Sequence, residues 1–169
     1  MQAPLWAPWR MQYILGAKDK SRCVFCDACA CKQDEMRERL VLVATDHAAV
    51  VLNRYPFNAG HLLVIPTKHV SSLDELDATE FSALWDLTKE TNRRLKKAVG
   101  AQGINLGMNL GEVAGAGIAE HIHVHLVPRW SGDTNFMPVI GDVRVMPQHL
   151  DATFNHLYPH FTDIEGRRA

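Results

Sequence analysis

No stretch of this sequence approaches the ~20 consecutive apolar residues that a membrane-spanning helix needs, and no cysteine occurs beyond position 31. The first absence argues against a helical membrane protein. The opening segment from Met1 to Arg10 holds Pro4 and Pro8 and no continuous apolar run, so a secretory leader is not expected. Neither sign of charge is in excess: 18 basic side chains stand against 19 acidic ones, for a formal charge of −1. That balance argues against a chain that coats nucleic acid nonspecifically, while leaving room for a local anion pocket. There is no P-loop, no dinucleotide-type glycine motif, no internal repeat and no low-complexity tract. At 169 residues and 47% hydrophobic, the chain suits one domain with extended ends. It should bury roughly 70% of the surface its unfolded form exposes.

All four cysteines, Cys23, Cys26, Cys29 and Cys31, fall within nine residues. A disulfide-built secreted domain spreads its cysteines to staple distant parts of the chain. Clustering favours metal binding in a reducing compartment, with the cytoplasm as the default location. Cys23-x-x-Cys26 supplies two of the four ligands of a structural zinc site. Cys29 and Cys31 leave three readings open: replacement of another ligand, a four-cysteine knot despite their close spacing, or free thiols. A thioredoxin-like redox pair is disfavoured, because no clear strand precedes the pair and no clear helix follows it.

Residues 1–22 read as an aromatic-rich arm broken by prolines, 23–130 as the core domain, and 131–169 as a C-terminal extension packed on that core. Residues 40–44 and 48–53 predict two strands joined by a turn, and 61–66 a third strand stopped by Pro66. Between Gln33 and Leu40 the charged stretch suits helix or turn. Ser71 or Ser72 suits the cap of a short turn. Apolar positions from Phe81 to Val99 recur at helical spacing, predicting one long amphipathic helix over roughly 77–99 that ends at Gly100. The basic residues in its last turns complement the helix dipole and read as a solvated end. Residues 104–110 and 118–127 predict further strands, 135–146 an interrupted extended segment, and 151–158 a last short helix. Strands on both sides of one central helix make an α+β fold with a mostly antiparallel sheet.

The most informative stretch is Ala119-Glu-His-Ile-His-Val-His-Leu-Val-Pro-Arg-Trp130. Side chains two apart on a strand share a face, so His121, His123 and His125 project together. Three imidazoles on one face of an apolar strand are an improbable packing solution, because each needs partners when buried. A three-histidine metal site is disfavoured: His121 and His125 stand roughly 13 Å apart on a straight strand. Nucleophilic and acid–base work is the better reading, with one imidazole attacking and its neighbours setting tautomer and charge. Such a nucleophile needs a hydrogen-bond acceptor, for instance a main-chain carbonyl, to hold the proton on its other ring nitrogen.

The run His121-Ile-His-Val-His-Leu-Val127 resembles the motif of the histidine triad (HIT) family. Cys23-Val-Phe-Cys26, Asn53, Ala59-Gly-His61, Ile65-Pro66, His69 and Gly111-Glu-Val-Ala-Gly115 fall in the order of similar family elements, over roughly residues 20–130. Leu5-Trp-Ala-Pro-Trp-Arg-Met11 and Pro128–Phe136 resemble the branch that contains bacterial diadenosine-tetraphosphate phosphorylases. The resemblance implies a HIT-like fold and a nucleotidyltransferase or hydrolase that cleaves dinucleoside polyphosphates through a nucleotidyl-histidine intermediate. His123 is then the nucleophile, His125 the phosphate- or leaving-group-assisting neighbour, and His121 the orienting member. Asn53 corresponds to a ribose contact, Asn109 to a phosphate contact, and His61 lies near the nucleotide. Gly115 and Gly117 belong to a loop that reads either as a flexible hairpin or as a cradle of backbone amides. The chain departs from the family at Ala116-Gly117, where many relatives carry a hydroxyl side chain, so backbone amides would have to serve there. Arg129 reads equally as a phosphate contact or a solvated side chain, and Trp130 as a base platform or a packing residue.

The resemblance also completes the metal site as Cys23, Cys26, His69 and His121, holding structural zinc, with no organic cofactor. It implies a nucleotide substrate, inorganic phosphate as acceptor, and a homodimer, for which Phe81, Leu84 and Trp85 are candidates if they are not simply core. No membrane or specific nucleic-acid partner is expected. Two alternatives stay open: hydrolysis of dinucleoside polyphosphates or nucleoside phosphoramidates, and a non-catalytic, zinc-stabilised nucleotide-binding module.

Overall fold

The computed structural model describes residues 22–133 and 149–166. The expected arm (all but Arg22) and the expected extended segment 135–146 lie outside the described residues.

Short runs of branched residues punctuated by turns form β1 (Val41–Ala44), β2 (Ala48–Leu52) and β3 (Leu62–Pro66); β4 (Gly103–Gly107) and β5 (Val124–Arg129) follow. All pairings are antiparallel, in the order β1-β2-β3-β5-β4. Every residue of β2 and β3 is buried, so the middle of the sheet is covered on both faces. With one 22-residue helix against this five-stranded, mostly buried antiparallel sheet, the fold is α+β, as the sequence predicts.

The expected long helix is α2 (Ala78–Val99), packed across β2, β3 and β5. Its start is set by a capping box: the Asp77 carboxylate accepts the Glu80 N–H, and the Glu80 carboxylate accepts the Asp77 N–H. Gly100, at φ +60, ends it in the left-handed conformation. Leu84, Leu87 and Leu95 are buried beneath it, each worth about 1.5–3 kcal/mol. The basic residues near its end are partly engaged. Glu90 pairs with Arg93 and Arg94, and Arg94 reaches on to Asp163 and the His160 carbonyl. Those C-terminal residues follow α3 (Leu150–Leu157), whose Phe154 and Leu157 join Phe161 in the core. Ser72 caps the short 3-10 turn Leu73–Glu75 with its own capping box.

Two strand boundaries differ from the sequence expectation. β4 stops at Gly107 instead of Leu110, and β5 begins at Val124 instead of Ile118. The ladder ends where β5 loses its partners, at Val64↔Val124 and Gly107↔His125. Just before it, the Ile122 N–H donates to the Val70 carbonyl. His121 and His123 therefore sit on the approach to the strand and only His125 lies within it. A short helix, α1 (Val24–Cys29), also begins at the cysteine pair, where no clear helix is expected from sequence.

Candidate active site and metal centre

β5 delivers the histidines to one side of the sheet, and the rings line up there. The His121 ring meets His69 at 5.0 Å between centroids and Phe25 at 5.6 Å. Phe25 then meets His123 at 4.9 Å, His123 meets His125 at 4.8 Å, and His125 meets His61 at 5.1 Å. Phe57 stacks on His61 at 5.0 Å and closes the row. Phe25 comes from α1, His61 from the entry to β3, and Phe57 from the turn before it.

Hydrogen bonds assign tautomers to four of these rings, those of His61, His121, His123 and His125. Among the described residues, the acceptor that His123 Nδ1 meets is the main-chain carbonyl of His121, at 2.9 Å. Nδ1 therefore carries the proton, and Nε2 presents its lone pair. This is the carbonyl support that a nucleophilic imidazole requires. Burial pushes the pKa of His123 below its ordinary value, which keeps that lone pair available at neutral pH.

His61 is fully buried, and its Nδ1 receives two donors, the Phe57 N–H at 3.0 Å and the Asn53 amide at 3.2 Å. The Asn53 amide is oriented because its oxygen accepts the Tyr55 N–H. The His61 proton is consequently on Nε2, which donates to His125 Nδ1 at 2.9 Å. That leaves the His125 proton on Nε2, a buried donor with no hydrogen-bond partner among the described residues. Burial, and secondarily the neighbouring His123, push the His125 pKa down to about 4. The arrangement juxtaposes one neutral nucleophilic nitrogen with one neutral donor, and so suits in-line displacement at phosphorus.

The metal-ligating candidates also converge. One ligand atom from each of Cys23, Cys26, His69 and His121 lies within 4.8 Å of all the others. Cys23 Sγ is 3.4 Å from His121 Nδ1, and Cys26 Sγ is 3.2 Å from His69 Nδ1. His121 Nε2 donates to the Pro66 carbonyl at 2.9 Å, leaving Nδ1 unprotonated and aimed at the thiols; a ligand histidine needs this outer support. Burial, and then the adjacent Cys23 thiol, push Cys26 up to about 11, as expected for paired thiols without a cation. Two thiols and two imidazoles fit a tetrahedral metal. Cys29 is not in this cluster; it is buried with its thiol on the Pro66 carbonyl. Cys31 stands outside as well, half-buried.

The remaining candidates are more dispersed. Asn109 donates to the Gly115 carbonyl at 3.5 Å and closes the loop in which Gly111 and Gly115 adopt φ +86 and +93. Gly117 follows on the exposed surface. This loop leaves β4 beside His125, through the Gly107↔His125 pair. Arg129 lies four residues along β5, about 13 Å from His125. Its guanidinium is held by Asp133 in two hydrogen bonds and by Asn105. Trp130 packs at the end of α2, its indole N–H on the Val99 and Gly100 carbonyls. Sequence reasoning missed Phe25, Phe57 and the Pro66 carbonyl. The aromatics are single residues with no periodic signal, and a carbonyl carries no residue type; Phe25 was marked only by its place inside the cysteine pair.

Comparison with known proteins bears on all of this. Residues 35–132 match the HIT domain family model. The AP-4-A phosphorylase of Mycobacterium tuberculosis is 40% identical over 154 residues, covering 88% of this chain and 79% of that protein. Among solved structures, a hypothetical histidine triad nucleotide-binding protein from Sulfolobus tokodaii superposes with a TM-score of 0.63 at 26% identity, covering 84% of this chain and 93% of that one. A Zn-bound histidine triad family protein from Mycobacterium smegmatis gives 0.65 at 23% identity over 85% of this chain and 96% of that one, a likeness of fold.

Proposed function

The chain belongs to the histidine triad family, and from that premise we propose that it is a nucleotidyltransferase cleaving dinucleoside polyphosphates, such as diadenosine tetraphosphate, with inorganic phosphate as acceptor. The observation that carries this reading is the His123 Nδ1–H bond to the His121 carbonyl, which leaves Nε2 as the attacking atom. Nε2 attacks the α-phosphorus, an N–P bond forms, and the P–O bond to the departing nucleoside polyphosphate breaks. His125 Nε2–H donates to the departing oxygen and stabilises its charge. Inorganic phosphate then displaces the nucleotidyl group from His123, releasing a nucleoside diphosphate; water in its place would release a monophosphate. The AP-4-A phosphorylase relative supports phosphate as acceptor.

Asn53, beside His61, is suited to ribose hydroxyls, and the Asn109–Gly117 loop to phosphate oxygens through its amides. Arg129 serves the substrate indirectly, through its partners. Cys23, Cys26, His69 and His121 would hold zinc. When bound, the ion neutralises two thiolates and ties α1 to the approach to β5. We assign the protein to the cytoplasm because thiol ligands stay reduced there; among the described residues, no helix is long and apolar enough to cross a membrane. A homodimer fits the exposed β4 edge with Leu106, and Phe81 at 43% exposure beside Trp85. Leu84 is fully buried and belongs to the protomer's own core.

The test is product analysis with diadenosine tetraphosphate, with and without inorganic phosphate. ADP plus ATP formed only with phosphate supports the reading, whereas AMP plus ATP without it identifies a hydrolase. His123→Ala should lower turnover by at least about 10³-fold with fold and metal content unchanged. Unchanged turnover in that variant would sink the mechanism.

A further inference from the structure

The residues that orient His61 are themselves held by a cluster at the far end of β5. After β5 the chain turns back through Gly132, at φ +79, and the Asp133 N–H meets the Trp130 carbonyl. The Asp133 side chain is only 10% exposed. Its carboxylate accepts Arg129 through both oxygens (2.6 and 2.7 Å), and one oxygen also accepts the Trp130 N–H and the Asn58 amide, each at 3.1 Å. The Asn58 amide donates at the same time to the Pro128 carbonyl at 3.1 Å. Its own oxygen accepts the Ala59 N–H, and its main-chain carbonyl accepts the His61 N–H. Asn58 thus fastens the turn between β2 and β3 to the end of β5, and the next residue back, Phe57, is the one whose N–H fixes His61 Nδ1.

We infer that Asn58 and Asp133 are positioning residues that hold His125 in its Nε2–H tautomer, acting through Phe57 and His61. The inference rests on the nucleotide-cleaving reading for its consequence but not for its geometry. A neutral imidazole exchanges its proton between two nitrogens at little cost unless each nitrogen has a fixed partner. With the turn undocked, the Phe57 N–H is withdrawn and, of the two donors to His61 Nδ1, the Asn53 amide remains, so a proton on Nδ1 is opposed less and a fraction of the molecules takes it. His61 Nε2 then becomes an acceptor, the proton of His125 moves to Nδ1, and His125 turns a lone pair toward the departing oxygen. The donor is lost without any side chain of the triad being changed. Asp133 is required because its carboxylate, held by Arg129 through both oxygens, accepts the Asn58 amide.

The first measurement is nitrogen-15 NMR of the imidazoles in the full, zinc-loaded chain, which reads the tautomers without any substrate. Wild type should show His125 protonated at Nε2, and Asn58→Ala should show a mixture. Asp133→Asn, which keeps an acceptor oxygen, should show a smaller shift in the same direction and serves if Asn58→Ala fails to fold. The second measurement compares adenosine 5′-monophosphate esters of p-nitrophenol and of phenol. The poorer leaving group needs the His125 donor more, so Asn58→Ala should slow the phenyl ester about tenfold more than the p-nitrophenyl ester. In a His61→Ala background the same change should add nothing. An unchanged His125 tautomer in folded variants, or equal losses on both esters, overturns the inference. If wild type cleaves neither ester nor diadenosine tetraphosphate, the functional reading fails while the NMR result still decides the tautomer question.

Discussion

His123 and His125 differ in which ring nitrogen carries the proton, and that difference comes from their partners: a main-chain carbonyl that accepts from one, a neighbouring imidazole that donates to the other. Both are neutral at physiological pH because burial penalises the cation. The linkage has a definite sign. The His125 pKa falls from 6.5 unfolded to about 4 folded, so between those values the unfolded chain binds more protons. Its contribution to stability is complete above about pH 6.5 and declines as pH falls toward 4. Urea unfolding at pH 7, 5.5 and 4.5 should show this decline, and His125→Asn should flatten it. A slope unchanged in the variant would contradict the assignment. Phe25 makes another residue-scale prediction. Since its ring contacts those of both His121 and His123, Phe25→Ala should cost about 3–5 kcal/mol of stability and lower kcat more than KM rises.

Among the elements, the turn between β2 and β3 combines a close backbone approach with hydrogen bonds to the candidate site. Gly60 holds φ +76, and a Cβ there would come within 3.3 Å of the Pro128 ring and 3.6 Å of Leu95. Gly60→Ala should therefore destabilise the fold by about 1–2 kcal/mol from the left-handed backbone alone, measured by denaturant unfolding. It should also lower activity, because the turn carries Phe57 and Asn58. At the other end of the site, α1 brings Cys23, Phe25 and Cys26 to the approach to β5. Cys26→Ser should lower bound zinc, read by metal analysis of the purified protein, while Cys29→Ser and Cys31→Ser should retain it.

For the whole molecule, the candidate metal ligands His69 and His121 and the candidate catalytic His123 and His125 are parts of one row of rings, so holding one end steadies the other. Stripping metal with a strong chelator should lower the unfolding midpoint by about 5–10 °C, the shift expected from losing about 2–3 kcal/mol in a domain of this size. Readdition of zinc should restore it, and a midpoint indifferent to zinc would show that no metal stabilises the fold. Sedimentation analysis tests the dimer: Phe81→Glu, on the exposed start of α2, should shift the chain toward monomer without unfolding it.

Much of this protein is legible in one dimension. Strand and helix periods, the Asp77 and Gly100 boundaries of α2, the alternating histidines and the cysteine pair are all local patterns, written in residue types at short spacing, and the sequence alone determined them. The grouping of Cys23 and Cys26 with His69 and His121 was legible only through family resemblance, since no spacing predicts which distant histidines meet a cysteine pair. Tertiary structure alone decided where β5 starts, because a ladder ends where its partners do. It decided too that Trp130 caps α2 and that Asp133 engages Arg129. Above all it decided the tautomers: a ring nitrogen's proton follows its hydrogen-bond partner, and those partners are carbonyls and amides brought together by folding, which carry no signature in the order of side chains.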